Sequence, residues 1–518
     1  MKIKIISTSD VHGYIYPTNY STANDVKPYG MLKAATIIHD IKHQATDDEI
    51  VIAVENGDWI QGSSFANYIA RQKADNKHAI FSEITSLIGY DAGILGNHEF
   101  NYGLDYIRTS ESKRKYPILG ANIDGGIKQK IVDQPYVILE QKGIKIAVLG
   151  LTTQYIPNWE KPKNIEGLKF NSAVEVAKKY VPKLKKLADV VVVAYHGGFE
   201  ADLSTGAPTE AMTGENEGYQ ILKEVEGIDA LITGHQHREI AGVYHDVPVT
   251  QPGEKGVAVG EIELILNDDK KVIQKNAKLI PTAGARLFQP VRYLTAKTET
   301  EVQQWLDSPV GRVTGASLMI DDPMLARIKG HPYLDFINKV EMAATGSDIA
   351  ATALFNDEVR GLGTHVTIRQ ILNSYGYPNT LVVEKITGTD LKLALEKSAR
   401  FFAVNNGRID ISDPFKFPKV QYYNYDYYSG IEYEFDLRRP IGSRVVNLKY
   451  HNKPVENDQS LKVTLNQYRG NGGGGYGMFS NAKIIKEINV DVAELIMKYF
   501  EEHQQVKGVQ PQNLNVVY

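Results

Sequence analysis

The sequence predicts an α/β protein of two domains. The chain has 518 residues, which exceeds the size at which a single hydrophobic core stops growing. Its first half alternates short apolar runs rich in β-branched residues with amphipathic stretches of helical period. After about Gln289 a charged helical stretch leads into a part of the chain richer in tyrosine, which indicates that a second domain begins there.

The first half supplies the elements of a mostly parallel or mixed sheet covered by helices. The predicted strands are residues 3–7, 50–54, 92–95, 144–149, 190–194 and 230–232. Helical periodicity predicts helices at residues 30–42, 65–88 and 172–187. These elements assign residues 1–290 to the first domain.

A connecting helix is predicted over residues 291–309, where TAKTETEVQQWL has a charged amphipathic pattern and Pro309 ends it. The second domain then covers residues 310–518. It contains YYNYDYYSGIEYEF, which predicts a pair of aromatic strands, and NGGGGYG, a loop with unusual backbone freedom. Such a loop is either a flexible turn or a place where the backbone approaches a ligand closely.

Composition excludes several classes of function. The hydrophobic share of 42% and the charged share of 23% are those of an ordinary globular protein. With 62 acidic and 58 basic residues, the chain lacks the electrostatic footprint of a protein that binds duplex nucleic acid or an anionic membrane. Cysteine is absent, so a metal site must use His, Asn, Asp or Glu.

The amino terminus, MKIKIISTSD, has too short an apolar core for a signal peptide, and no run approaches the length of a membrane helix. As the sequence stands we expect a cytoplasmic protein. A secreted or periplasmic protein whose leader has been removed would have the same pattern. The sequence predicts no particular oligomeric state.

Polar side chains follow five of the predicted strands, within a few residues of each strand end. They are Asp10 and His12, then Asp58, then Asn97 and His98 in the stretch GNHEFNYG, then His196, and last His235 and His237. A lone histidine at a strand end is usually a satisfied surface or core residue. Repetition at five strands favours a common site, because parallel strands bring their carboxyl ends to one rim of a sheet.

The residue types at this rim predict a dinuclear metal centre. Histidine, aspartate and asparagine without sulfur suit Mn²⁺ best, with Zn²⁺, Fe or Co²⁺ as alternatives. Seven of these residues, all except His98, are candidate ligands, which is more than one tetrahedral site can use. Two ions about 3.5–4 Å apart that share a carboxylate are therefore expected. Asp58 is the natural bridge, since it is the only ligand in its loop. Such a pair activates water for attack at phosphorus, and His98 is free to donate a proton to the leaving oxygen.

In this order the motifs D-x-H, G-D, GNHE, H-G-G and G-H-x-H resemble the calcineurin-like metallophosphoesterase superfamily. The resemblance implies a four-layer first domain in which a β-sandwich core is flanked by helices, and it makes His98 the catalytic imidazole. It implies that one metal is held by Asp10, His12, Asp58 and His237, and the other by Asp58, Asn97, His196 and His235.

The second half resembles the C-terminal domain of the bacterial and animal 5'-nucleotidases, on the segments ALEKSARFF, YNYDYYSGIEYEFDL and NQYRGNGGGGYGMF. This implies a second α/β domain that binds a nucleotide. In that family two aromatic rings hold the base between them, and the motifs put these rings at Tyr425 and Tyr476. The alternative is that both tyrosines are half-buried strand residues. Further substrate contacts are implied at Arg400, Asn356, Gly473 and Gly474.

Three positions depart from the phosphatase pattern of this family. Asn101 stands where an aspartate normally pairs with the catalytic histidine, so a neutral amide is expected to orient His98. Phe355 replaces an arginine that holds a terminal phosphate, and Gly474 replaces an aspartate of the glycine loop. At these three positions, and in the segment LTTQYIPNW, the sequence resembles the branch of the family that hydrolyses 2',3'-cyclic nucleotides and 3'-nucleotides.

The resulting prediction is a 2',3'-cyclic-nucleotide 2'-phosphodiesterase that is also a 3'-nucleotidase, acting in nucleotide catabolism. A cyclic diester carries one negative charge and a monoester carries two. The loss of an arginine therefore weakens the binding of a cyclic diester less than that of a monoester. The nearest alternative is a 5'-nucleotidase or nucleotide-sugar hydrolase with the same metals. A metal-dependent nuclease is disfavoured by the charge balance. A non-catalytic nucleotide-binding protein is disfavoured because no ligand is missing.

Overall fold

The computed structural model describes residues 1–72, 75–210, 212–377, 379–416, 420–488 and 490–518. The chain divides into two compact units, Met1–Gln303 and Gln304–Tyr518. Both units are α/β, as the sequence predicts. The division falls within the helix Gln289–Leu306, in the region where a connecting helix is expected.

The strands of the first unit are β1 (Lys2–Thr8), β2 (Glu49–Glu55), β3 (Ala92–Ile94), β4 (Ile118–Leu119), β5 (Ile123–Asp124), β6 (Tyr136–Gln141), β7 (Ile144–Thr152), β8 (Lys169–Phe170), β9 (Val190–His196), β10 (Ala230–Ile232), β11 (Glu239–Tyr244), β12 (Val247–Pro252), β13 (Ala258–Leu266) and β14 (Val272–Pro281). Its helices are α1 (Met31–His43), α2 (Ser64–Ala70), α3 (Asp75–His78), α4 (Ile80–Ile88), α5 (Leu104–Ser110), α6 (Ala173–Leu184), α7 (Gly218–Glu224) and α8 (Gln289–Leu306), the last of which reaches the second unit.

Two six-stranded sheets form the centre of the first unit. Their strand orders are β14-β13-β1-β2-β3-β4 and β11-β12-β10-β9-β7-β6. Apolar side chains from both sheets join in one buried cluster, so the sheets pack face to face. The predicted β-sandwich core flanked by helices is therefore confirmed.

Strand β9 illustrates why the sequence adopts this arrangement. Its run VVVVAYH is buried on both faces. Val190, Val192 and Ala194 belong to the core between the sheets, whereas Val191 and Val193 pack with helices α6 and α7 on the outer face. A strand covered on both sides needs a continuous apolar run, and this strand has one.

The predicted helix at residues 65–88 is interrupted. The structure has α2, α3 and α4 in its place, and two positions of the prediction, 73 and 74, lie outside the described residues. The apolar periodicity lapses in the segment RQKADNK, so no continuous apolar face is available there to pack against the core. Elsewhere in the first unit the predicted helices and strands differ from the observed ones at their ends by a few residues.

The strands of the second unit are β15 (Pro309–Gly315), β16 (Leu318–Met319), β17 (Ile349–Ala353), β18 (Gly361–Leu362), β19 (His365–Thr367), β20 (Leu381–Thr387), β21 (Phe402–Asn405), β22 (Arg408–Ile411), β23 (Asp426–Ser429), β24 (Ile431–Asp436), β25 (Val445–Tyr450), β26 (Lys453–Pro454), β27 (Ser460–Asn466), β28 (Ile484–Ile488), β29 (Gln505–Gly508) and β30 (Leu514–Val517). Its helices are α9 (Pro323–Lys329), α10 (Pro332–Thr345), α11 (Ile368–Ser374), α12 (Gly388–Ala399), α13 (Gln467–Gly470) and α14 (Val492–Glu502).

The largest sheet of the second unit has five strands in the order β23-β17-β27-β20-β28, and a second sheet has the order β26-β25-β24-β30. The aromatic segment does form two strands, β23 and β24, but they belong to different sheets and do not pair with each other. Gly430 separates them at a positive φ of 91°. A side chain there would overlap the carbonyl of Asp348, so the chain turns from one sheet to the other at a glycine.

Among the described residues, no helix combines the length and the apolar character needed to cross a bilayer.

Candidate active site

The side chains predicted as metal ligands converge at one rim of the first unit. Strands β1, β2 and β3 are parallel neighbours in one sheet, and β9 and β10 are parallel neighbours in the other. The ligand residues follow the carboxyl ends of these strands, except that His196 is the last residue of β9 itself. The two sheets contact each other here: His235 N–H donates to Asp10 at 3.0 Å, and His235 Nδ1 lies 2.9 Å from Asn97 Oδ1.

The described part of the chain contains two groups that could hold a metal ion. One consists of Asp10, His12 and His237, and the other of Asp58, His196 and His235. Within each group the candidate ligand atoms all lie within 4.8 Å of one another. Asn97 adds its amide oxygen to the second group, 3.2 Å from His196 Nε2. The structure thus brings together all seven predicted ligands, and their roles stay predictions.

Asp58 lies between the two groups. Its Oδ2 atom is 3.3 Å from His196 Nε2 and 3.8 Å from His12 Nε2, so the same oxygen faces one histidine of each group. Its Oδ1 atom accepts the backbone N–H of His98 at 2.8 Å. This is the position that a bridging carboxylate requires.

Each of the four histidines is fixed by a hydrogen bond at its outer nitrogen. The acceptors are Gln61 O for His12 Nδ1 (3.1 Å), Asn56 O for His196 Nδ1 (2.7 Å), Glu215 for His235 Nε2 (3.0 Å) and Glu254 for His237 Nδ1 (3.1 Å). Carbonyl and carboxylate oxygens accept only, so these nitrogens carry the protons. The other nitrogen of each neutral ring therefore presents its lone pair to the cluster, as a metal ligand must.

Glu215 and Glu254 were not predicted from the sequence. They lie in loops; Glu254 follows the end of β12 by two residues, but β12 is not among the predicted strands, and no motif marks either residue. Acidic residues that orient the far side of a ligating histidine are a common feature of metal sites, but only the fold brings them there.

The backbone at the rim is strained. Five of the seven candidate ligands have a positive φ: Asp10 (54°), His12 (52°), Asp58 (56°), His235 (68°) and His237 (57°). Such conformations are uncommon for residues other than glycine and cluster at functional sites. They turn the side chains back over the strand ends.

Glu99, the last residue of GNHE, holds two of these loops together. Its carboxylate is 2% exposed and accepts four backbone N–H groups. The donors are Asp58 (2.8 Å), Trp59 (2.6 Å), Ile60 (3.2 Å) and Gly96 (2.7 Å). The loop after β2 and the loop after β3 are thereby fixed against each other. This role of Glu99 is not predicted from the sequence.

The electrostatics of the cluster favour cations. Burial opposes protonation of His196, but the carboxylates of Asp58 and Asp10 outweigh it and raise the pKa of His196 to about 10. Burial also opposes protonation of His237, whose hydrogen bonds to Asp10 and Glu254 raise its pKa to about 10. Burial lowers the pKa of His12 to about 4. Without metal, two of the rings therefore carry positive charge beside the aspartates at neutral pH.

His98 lies beside the cluster with its ring 5.2 Å from the ring of His12. Its Nδ1 atom is 2.8 Å from Asn101 Oδ1. An amide oxygen accepts only, so Nδ1 donates, and Nε2 is the nitrogen left to act on a substrate. The geometry agrees with the expected role of Asn101 in orienting His98.

In the second unit, Tyr425 and Tyr476 cannot hold a base in this structure, because they are only 1% and 0% exposed. Tyr425 packs against Phe401 and Phe402 and donates its hydroxyl to Arg327 O at 2.7 Å. Tyr476 packs under the guanidinium of Arg469 and against a parallel phenylalanine ring. The clamp predicted at these two residues is therefore not open to a base in this structure, and the alternative of half-buried strand residues does not describe them either, because both rings are fully buried and neither residue lies in a strand.

The other predicted substrate residues have varied surroundings. Asn356 uses its Oδ1 atom to accept the N–H groups of Glu358 and Val359, which closes its own loop. Gly473 accepts a hydrogen bond from Arg469 through its carbonyl, and Gly474 packs so close to Asn424 that a side chain would overlap it. Arg400 is exposed and follows helix α12 as its C-cap.

A cavity of about 370 Å³ opens elsewhere in the same unit. It is lined by Phe355, Tyr377, Asn379, Tyr423, Asn466 and Tyr468. Four aromatic rings and two amides therefore surround a volume that suits a small aromatic ligand. Tyr423 and Tyr468, with ring centres 6.4 Å apart, lie in the same two motifs as Tyr425 and Tyr476. Each of the two motifs thus contributes one tyrosine to the cavity and at least one to the interior of the unit.

Comparison with known proteins agrees with this architecture. The model of the calcineurin-like phosphoesterase family matches residues 3–239, and that of the 5'-nucleotidase C-terminal domain matches residues 309–481. A Staphylococcus aureus crystal structure, of a protein provisionally assigned as a 5'-nucleotidase, is 36% identical, with a TM-score of 0.88 and 100% of both chains covered.

The chain belongs to the calcineurin-like phosphoesterases of the 5'-nucleotidase family. A 2',3'-cyclic-nucleotide 2'-phosphodiesterase/3'-nucleotidase of Salmonella typhimurium is 29% identical over 91% of this chain and 81% of its own length. The trifunctional nucleotide phosphoesterase protein YfkN of Bacillus subtilis is 27% identical over 99% of this chain. The chain spans only 39% of the length of YfkN.

The two groups of this phosphoesterase are consistent with a dinuclear metal site. Four imidazole nitrogens, two buried carboxylates and one amide oxygen form a donor set that fits two divalent ions of borderline to hard character. When bound, such ions activate a water molecule and stabilise the charge that develops on the phosphoryl oxygens. The residues of the chain hold the ligand geometry through the hydrogen bonds at the outer nitrogens of the four histidines.

We predict that loading this phosphoesterase with Mn²⁺ releases protons. The raised pKa values of His196 and His237 mean that both rings are protonated at neutral pH without metal, and ligation must displace those protons. Calorimetric titration in buffers of different ionisation heat should show release of about two protons per chain. Apparent affinity should rise with pH by about tenfold per unit for each displaced proton.

A variant of an exposed histidine in the second unit, His451→Asn, serves as the control for this titration. It should release as many protons as the wild type. Metal binding that is independent of pH and releases no protons would contradict the arrangement of charges described here.

Proposed function

We propose that the chain is a metal-dependent phosphoesterase that opens 2',3'-cyclic nucleotides to 3'-nucleotides and then dephosphorylates the 3'-nucleotides. The observation that carries the proposal is Phe355. Where the resemblance expects an arginine for a terminal phosphate, an aromatic ring lines the cavity, and none of the described residues that line it is cationic. A cyclic diester has no terminal dianion to hold. The similarity to the Salmonella enzyme, which is named for both activities, supports the same substrates.

The first reaction adds water to the cyclic diester. A water oxygen forms a bond to phosphorus while the bond between phosphorus and the ribose 2'-oxygen breaks. His98 Nε2 donates a proton to that leaving oxygen, because Nδ1 is engaged by Asn101. The product is a 3'-phosphomonoester with a free 2'-hydroxyl. It is the substrate of the second hydrolysis, in which the leaving oxygen is the ribose 3'-oxygen.

We further propose that the aromatic cavity of the second unit binds the nucleobase, in place of the predicted site at Tyr425 and Tyr476. Stacking on aromatic rings tolerates different bases, and an amide can donate to or accept from a base edge. Asn379 and Asn466 supply such amides among the lining residues. The cavity therefore fits a base of broad identity rather than one base.

A 5'-nucleotidase or nucleotide-sugar hydrolase with the same metals is the second candidate. The 36% identity to the provisionally assigned 5'-nucleotidase of Staphylococcus aureus favours it. The two candidates share the rim of the first unit and differ only in how the nucleotide is oriented over it.

We predict that the Mn²⁺-loaded protein hydrolyses 2',3'-cAMP and 3'-AMP at least about tenfold faster than 5'-AMP, measured as kcat/KM. The physical reason is that the cyclic diester has no terminal dianion and so needs no arginine at position 355, and that its product, the 3'-nucleotide, is hydrolysed in the same site. Phosphate release and nucleotide chromatography measure the three rates. A rate dominated by 5'-AMP would support the second candidate instead.

We predict that Tyr423→Leu and Tyr468→Ala raise KM for nucleotides while leaving the hydrolysis of bis(p-nitrophenyl) phosphate unchanged. Loss of one stacking ring costs about 1–3 kcal/mol, which corresponds to about fivefold to a hundredfold in KM. Tyr468 is 46% exposed, so its removal should not disturb the core.

Tyr518→Ala is the matched control, since Tyr518 is 57% exposed and does not line the cavity. It should leave both substrates unaffected. Unchanged nucleotide KM in both cavity variants would exclude this cavity as the base site.

A further inference from the structure

Asn101 contacts a second group besides His98. Its Nδ2 atom donates to Glu160 Oε2 at 2.8 Å, while its Oδ1 atom faces His98 Nδ1 at 2.8 Å. The three side chains therefore form a continuous chain of hydrogen bonds, from a carboxylate through an amide to the imidazole beside the metal ligands. Because Glu160 is 59 positions from Asn101 in the chain, the sequence alone does not reveal this contact.

Glu160 is buried next to the site and held by several hydrogen bonds. It is only 8% exposed, and its other oxygen, Oε1, accepts Lys161 N–H at 2.7 Å and Asn164 Nδ2 at 2.9 Å. Asn164 also donates to the backbone carbonyl of Asn101 at 3.0 Å, so the two segments are joined twice. The preceding residue, Trp159, packs its ring 5.4 Å from the ring of the predicted ligand His235.

The carboxylate determines which way the amide points. An asparagine amide can present either its oxygen or its nitrogen to a neighbour. An ionised carboxylate only accepts, so the NH₂ group must face Glu160 and the oxygen must face His98. His98 Nδ1 must then be the donor, and Nε2 is left to the substrate. A hydrogen bond to a charged acceptor is also stronger than a neutral one, which polarises the amide toward His98.

We propose that Glu160 is a positioning residue for His98, acting through Asn101, and that it replaces the aspartate that directly contacts the histidine in the phosphatase branch. Glu160 itself does not touch the substrate. The negative charge is retained but moved one side chain outward, with a neutral amide as the link. The inference rests on the proposed role of His98 in donating a proton to the leaving oxygen.

The test compares variants on two substrates that differ in their need for that proton. A nucleotide phosphoester leaves through a ribose oxygen, which must be protonated, whereas bis(p-nitrophenyl) phosphate leaves as a stable phenolate. Glu160→Gln should lower kcat for the nucleotide about tenfold with little change in KM, and should change the p-nitrophenyl rate less than about twofold. Glu160→Ala should have at least the same effect.

Asn101→Asp tests the hydrogen-bonded chain of three side chains by asking whether it restores the activity lost in Glu160→Gln. Alone it places two carboxylates against each other and should also lower kcat for the nucleotide. In the double variant with Glu160→Gln, the amide is at position 160 and the carboxylate at position 101. The amide can donate to the carboxylate, and the carboxylate accepts from His98. The rate should therefore recover to within about threefold of the wild type. A residue with a purely structural role would not be rescued by changing its partner.

Glu200→Gln is the matched control. Glu200 is a carboxylate of the same unit that is 1% exposed and accepts the N–H groups of Tyr219 and Gln220, without contact to Asn101. It should leave the ratio of the two substrate rates unchanged.

Equal losses on both substrates in Glu160→Gln would overturn the proposal, as would a combined variant no faster than the slower single variant. A different result would contradict the proposed substrate class. If the wild type hydrolyses 5'-AMP and neither 2',3'-cAMP nor 3'-AMP, that class is wrong, and the same comparison is made with 5'-AMP as the nucleotide.

Discussion

The candidate site depends on one buried carboxylate that does not itself face the cluster. Glu99 accepts four backbone N–H groups, three from the loop after β2 and one from the loop after β3. Hydrogen bonds to a charged group contribute about 1.5–3 kcal/mol each, and here they all act on the backbone that carries Asp58 and Asn97. Because Asp58 has a positive φ of 56°, an anchor of this kind helps to hold its loop. The bridging position of Asp58 follows from it.

The second constraint is charge. Asp10 and Asp58 are almost completely buried, and burying two carboxylates near each other is unfavourable unless positive charge is present. Without metal, protonated His196 and His237 supply that charge, and their outer nitrogens are already fixed by Asn56 and Glu254. Divalent ions can take over the same role by binding the nitrogen lone pairs that these protons occupy. The site is thus arranged for cations before any cation binds, which links the electrostatics of the fold to phosphoester chemistry.

Much of this site could be predicted from the sequence, because strand ends of a parallel sheet share one rim. The apolar runs located β1, β2, β3, β9 and β10, and the residues at their ends include all seven predicted ligands, which the structure brings together. Residues outside the predicted strands and helices that act through other residues, such as Glu99 and Glu160, gave no periodic signal. The predicted clamp residues Tyr425 and Tyr476 are buried, since in a segment as rich in tyrosine as YYNYDYY only the packing decides which ring faces a cavity and which enters the core.

The most direct test of the account is anomalous diffraction from a crystal of the protein loaded with Mn²⁺. The account predicts two peaks per chain about 3.5–4 Å apart, with one oxygen of Asp58 within bonding distance of both. One ion should also contact Asp10, His12 and His237, and the other Asn97, His196 and His235. A single peak, or peaks that do not share Asp58, would contradict the dinuclear centre on which the proposed chemistry depends.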